Sequence, residues 1–155
     1  MTDENRLVNA RAEVDKATAA LAAARALAGL GLLDDAASRL YYAVFHLVCA
    51  TLLVLGVQAQ THGGVAVLLG QHLVRPGLVP AQLARDFASL MGLRAQSDYN
   101  RHFVLDAAGF ADELARAEAT FAALAKLLAA HGVSVPPEPA TPPPPPRSRG
   151  GPTEA

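Results

Sequence analysis

Apolar residues recur at Leu7, Ala10, Val14, Ala17, Leu21, Ala24 and Ala28, an unbroken alternation of threes and fours. That spacing places them on one stripe of a helix of 3.6 residues per turn and is incompatible with a strand, whose side chains alternate faces. It predicts an amphipathic helix over about Asp3 to Leu30, closed near Gly29 and Gly31. No later segment shows sustained period-two alternation between turn dipeptides, so strands are not expected anywhere in the chain.

Start and stop signals divide the remainder into four further helices. Asp34 or Asp35 is positioned to cap a second helix that runs to Leu55 and stops at Gly56. Thr61 caps a short third helix through Val74, loosened by Gly63, Gly64 and Gly70, and Arg75-Pro76-Gly77 is a turn. Pro80 suits the first position of a fourth helix reaching about Arg101. Asp106 opens a fifth, which carries Leu114, Phe121, Leu124 and Leu128 and ends at His131-Gly132. The expected fold is all-α, an up-and-down bundle of about five helices with short connections. Nine of the eleven prolines lie from Pro136 onward, five of them consecutive from Pro142. Residues 1–132 are therefore expected to form the helical domain and residues 133–155 a disordered, proline-rich tail that cannot build a core.

At 155 residues the chain is long enough for one domain with a real core. A formal net charge of −1 excludes a global basic field of the kind that drives non-specific nucleic-acid binding. The single cysteine, Cys49, excludes an intrachain disulfide and most zinc sites, and it suits a reducing cytoplasm. The opening Thr2-Asp3-Glu4-Asn5 is unlike a secretory leader, which begins with basic residues and an apolar run. Leu40 to Val57 is apolar enough to raise the question of a membrane span, but His46 and Thr51 interrupt it. A buried bundle helix is expected instead, with no membrane association. The sequence contains no internal repeat, P-loop or dinucleotide glycine fingerprint.

Polar chemistry is concentrated in three places. In Ser38-Arg39-Leu40-Tyr41-Tyr42-Ala43-Val44-Phe45-His46, Arg39 and His46 are seven residues apart. On a helix that puts them on one face, roughly 10 Å apart along the axis. A guanidinium supplies forked donors for phosphate oxygens, and an imidazole accepts a proton from a ribose 2′-hydroxyl near neutral pH. A structural role competes: Tyr41, Tyr42 and Phe45 as core aromatics beside a satisfied interior histidine. The second cluster is Arg94, Asp98, Tyr99, Arg101 and His102, where Arg94 and Asp98 are spaced to pair on a surface. In the third, Thr61-His62-Gly63-Gly64, backbone amides at a helix start could hold an anion, and a plain cap is the alternative.

Taken in order, Ser-Arg-x-Tyr-Tyr-Ala-x-Phe-His, Thr-His-x-Gly-Val, Gly70-Gln71-His72-Leu73-Val74, Gly77-Leu78 and the later Leu-Arg-x-x-x-Asp-Tyr resemble the HEPN superfamily. The likeness is to its small stand-alone prokaryotic branch and spans about residues 5 to 130. It implies a helical bundle that dimerises. Many such proteins are metal-independent endoribonucleases, and small members often pair with a minimal nucleotidyltransferase in toxin–antitoxin-like modules. The active motif of those enzymes is an Arg, four to six residues, then a His. Arg39 and His46 satisfy the spacing from an earlier helix than usual, whereas His102 falls one residue beyond the window counted from Arg94.

The resemblance thus assigns catalysis to Arg39, His46, Arg94 and His102. It assigns RNA or nucleotide binding to Ser38, Tyr42, His62, Asp98, Tyr99 and Arg101, with no metal or other cofactor. The competing expectation is a non-catalytic adaptor that binds a nucleotide or a partner protein.

Overall fold

A computed structural model describes residues 2–137 and shows five α-helices with no strand among them. They are α1 (Asp3–Gly29), α2 (Leu33–Val54), α3 (His62–Leu69), α4 (Ala81–Tyr99) and α5 (Ala107–Ala130). A π-helical turn, Gly70–Val74, prolongs α3. The five consecutive prolines of the C-terminal tail lie outside the described residues. Val133 is fully buried and Val135 packs against the core, so the packed chain runs a few residues past 132.

The α1 stripe lies where its spacing requires: Ala10, Val14, Ala17, Leu21 and Ala24 are buried, and Leu7 and Ala28 pack partly against the same core. Small residues there let α2 approach closely and antiparallel. Gly31 makes the reversal possible, with φ at 78° and Leu32 N–H donating back to Leu27 O at 3.0 Å. Gly132 repeats the device after α5, with φ at 81°.

α2 is the central helix, flanked by α1, α4 and α5 and touched by α3. By length and composition it could cross a membrane. Here its apolar surface is spent on other helices, since Leu40, Ala43, Val44, Leu47, Val48 and Ala50 are all essentially inaccessible. Burying each large aliphatic side chain contributes about 1.5–3 kcal/mol. α4 docks through Phe87, whose ring stacks on Tyr41 at 5.8 Å.

Three helix ends differ from the expectation. Neither Asp34 nor Asp35 caps α2; both lie inside its first turn, where a carboxylate still offsets the helix dipole. Pro80 is the N-cap of α4 rather than its first helical residue. α4 ends at Tyr99, before Arg101, because Asn100 captures the backbone locally. The Asn100 side chain donates to Gln96 Oε1 at 2.9 Å and accepts from His102 N–H at 3.0 Å. Thr61 and Asp106 cap α3 and α5 as expected, accepting from Gly64 N–H at 3.0 Å and Gly109 N–H at 2.7 Å.

Candidate functional site

Only one long stripe of α2 escapes full burial: Arg39, Tyr42, His46 and Cys49, at intervals of three, four and three. Opposite it, α1 presents Glu13, Lys16, Ala20 and Ala23 at the same intervals. Because the helices run antiparallel, Glu13 meets His46 and the alanines come to lie near Arg39. The alanines are too short to fill the space between the stripes. An open groove of about 540 Å³ results, lined by Lys16, Ala19, Ala20, Ala23, Arg39, Tyr42 and His46.

His46 is held by Glu13. Its Nδ1 lies 2.6 Å from Glu13 Oε2, and the two side chains are about 21% and 26% exposed. With the carboxylate accepting from Nδ1–H, Nε2 is the nitrogen that carries the lone pair and is free to act on a ligand. Tyr42 is the centre of the cationic part. Arg39 Cζ is 5.1 Å from its ring centroid and Arg94 Cζ, from α4, is 5.3 Å away. The His46 ring stacks at 6.3 Å from the same tyrosine. Arg94 also lies 5.7 Å from the Tyr41 ring and pairs with Asp98, Nε to Oδ2 at 3.0 Å. That Nε–H is not aligned on the carboxylate oxygen as a hydrogen bond, so the contact is chiefly coulombic.

Burial raises the Tyr41 phenol above its ordinary value, partly offset by the Arg94 charge. Cys49 is pushed up to about 12, by burial first and by the Glu13 charge second. Its thiol is therefore protonated and unreactive at neutral pH.

The structure gathers Arg39, Tyr42, His46, Arg94 and Asp98 into one cluster within one chain. His62 joins it from the start of α3, stacking on Phe45 at 4.4 Å and meeting Tyr42 edge-on at 6.3 Å. Ser38 is half-buried beside Arg39 and does not line the groove. Nor do Tyr99, Arg101 and His102. Tyr99 is 81% exposed at the end of α4, and the other two are exposed in the turn beyond it. The helical register that would have aligned His102 with Arg94 is broken at Asn100.

Sequence reasoning missed Glu13 and Lys16. Both are charges flanking the buried residues Val14 and Ala17, a position from which a helical side chain reaches the neighbouring helix. Among the described residues, no three His, Cys, Asp or Glu side chains gather in a way that could hold a metal ion.

A single helical bundle with an arginine- and tyrosine-rich groove on its central helix is the class this architecture defines. The chain belongs to the HEPN domain family, whose profile matches residues 10–130. It is 40% identical over 86 residues to the UPF0332 protein glr0978 of Gloeobacter violaceus, covering 56% of this chain and 68% of that one. A UPF0332 protein of Thermotoga maritima is 29% identical over 96 residues, covering 62% and 73%. A Methanocaldococcus jannaschii protein named "Putative toxin MJ0605" is 34% identical over 79 residues, covering 51% and 59%.

Proposed function

We propose that this HEPN protein acts on RNA as the toxin-like component of a two-protein module, cleaving the strand at the α1–α2 groove without a metal. The observation that carries this reading is the Glu13-held His46 facing the same groove as Arg39, with Arg94 converging on Tyr42. Lys16, Arg39 and Arg94 offer phosphate oxygens a local cationic surface that a net charge of −1 conceals.

In the proposed reaction the ribose 2′-oxygen attacks the adjacent phosphorus. His46 Nε2 takes the 2′-hydroxyl proton as the new P–O bond forms. Arg39 and Arg94 stabilise the charge that develops on the phosphate oxygens. The P–O5′ bond breaks, and the departing 5′-oxygen takes a proton from water in the open groove while the imidazolium releases its own to solvent. The products are a 2′,3′-cyclic phosphate and a 5′-hydroxyl. Glu13 positions the imidazole throughout.

Within this reading the protein is cytoplasmic and works as a homodimer beside a minimal nucleotidyltransferase. Tyr99, exposed and outside the groove, is then the accessible tyrosine for modification by that partner.

The second reading, a non-catalytic nucleotide- or partner-binding adaptor, is favoured by the distance of His102 from the groove, which leaves His46 without a second histidine from α4. Incubating the protein with a mixed RNA pool separates the two readings. Wild type should cleave while His46→Ala and Arg94→Ala do not. No cleavage by wild type, or equal cleavage by all three, would overturn the catalytic reading.

A further inference from the structure

A second cavity of about 230 Å³ adjoins the groove on the far side of the Glu13–His46 pair. Phe45, Cys49 and Val65 supply an apolar floor, and Glu13, Gln60, Thr61 and His62 a polar rim. We propose that this cavity is a nucleobase subsite that selects a base carrying an exocyclic amino group and seats it beside the phosphate bound in the groove. The proposal rests on the groove's reading as a phosphate site.

Three features support it. The cavity is below the usual volume of pockets for drug-sized ligands, so it suits one planar heterocycle rather than a whole nucleotide. Its floor already holds an aromatic stack: the His62 imidazole lies 4.4 Å from the Phe45 ring, with planes 12° apart. His62 is itself exposed, so its outer face can extend that stack to a base. The rim chemistry is asymmetric. The Glu13 carboxylate, whose Oε2 contacts His46 Nδ1, lines the rim, so the rim offers a carboxylate acceptor. A carboxylate accepts from a base amino group. The 4-oxo group of uracil would instead bring an acceptor against an acceptor. Gln60, exposed on the loop before α3, adds one amide that donates and accepts.

Glu13 therefore lines this cavity and touches the groove through its contact with His46. It orients the imidazole on one side and reads the base on the other, which ties base identity to the geometry of His46. Cys49 contributes only shape, since its thiol stays protonated.

The test uses the full-length protein and probes that separate base from phosphate: cytidine, uridine and inorganic phosphate, followed by backbone-amide NMR shifts. Cytidine should shift the amides of Ala59 to Val65 saturably, with uridine weaker by about fivefold or more. Gln60→Ala and His62→Ala, both at exposed positions, should each weaken cytidine binding by about fivefold. Saturable and equal binding of cytidine and uridine, or unchanged cytidine affinity in both variants, would overturn the proposal. Inorganic phosphate should shift Lys16 and Arg39 instead. Phosphate shifts there with no cytidine response would sink the base subsite and leave the groove standing. The converse would sink the groove's reading alone.

Discussion

Replacing Glu13 with Gln keeps the shape of the side chain and removes the charge that holds His46. The contact is short, 2.6 Å, and both partners are about three-quarters buried. Fully exposed ion pairs contribute roughly 0–1 kcal/mol, and hydrogen bonds to charged groups about 1.5–3 kcal/mol. A quarter-exposed pair should fall between, at about 1–2 kcal/mol of coupling. Urea unfolding of wild type, Glu13→Gln, His46→Gln and the double variant would measure it as a double-mutant cycle. If the same interaction is kept in the transition state, RNA cleavage by Glu13→Gln should fall about tenfold, since about 1.4 kcal/mol is a factor of ten. Additivity of the two single variants within about 0.3 kcal/mol would refute the claim that Glu13 positions His46.

Three further outcomes are expected. Ala23→Phe should fill the groove and weaken phosphate binding at least tenfold by NMR titration while the melting temperature moves only a few degrees; unchanged binding would mean that phosphate goes elsewhere. Native Cys49 should react far more slowly with iodoacetamide at pH 8 than the urea-unfolded chain, because its thiol is pushed up to about 12. The unfolded thiol ionises first, so its contribution to stability is complete below about pH 9 and declines as pH rises toward 12. Equal alkylation rates would contradict the burial. Leu40→Ala, at a position with no exposed surface, should lower unfolding free energy by about 2–5 kcal/mol in urea. A loss below about 1 kcal/mol would show that α2 is not the packed centre.

Most of the fold was legible because it is written in local spacing. The stripe from Leu7 to Ala28, the Thr61 and Asp106 caps and the glycine after each hairpin helix all act within a few residues of themselves. The errors were local too, where a side chain outcompeted the pattern. Asn100 ended α4 early, and Asp34 and Asp35 were drawn into a helix that began without a side-chain cap. The site was legible only in part. Arg39, Tyr42 and His46 share one helix, so their alignment follows from arithmetic. The Glu13–His46 contact joins residues 33 apart in the chain, and it exists only because α1 and α2 pack antiparallel in a particular register. Arg94 was nameable, but its position over Tyr42 depends on how α4 docks through Phe87. His102 already fell one residue outside the motif spacing from Arg94, and the end of the helix at Tyr99 removed it from the groove altogether.

The claim that most needs testing is that His46 performs metal-independent proton transfer on RNA. The direct measurement is mass spectrometry of the ends left on a defined RNA after incubation with the protein in EDTA. Wild type should leave 2′,3′-cyclic phosphates and 5′-hydroxyls, and His46→Ala should leave the RNA intact. Cyclic-phosphate ends produced equally by wild type and His46→Ala would contradict it, as would an RNA that neither protein cuts.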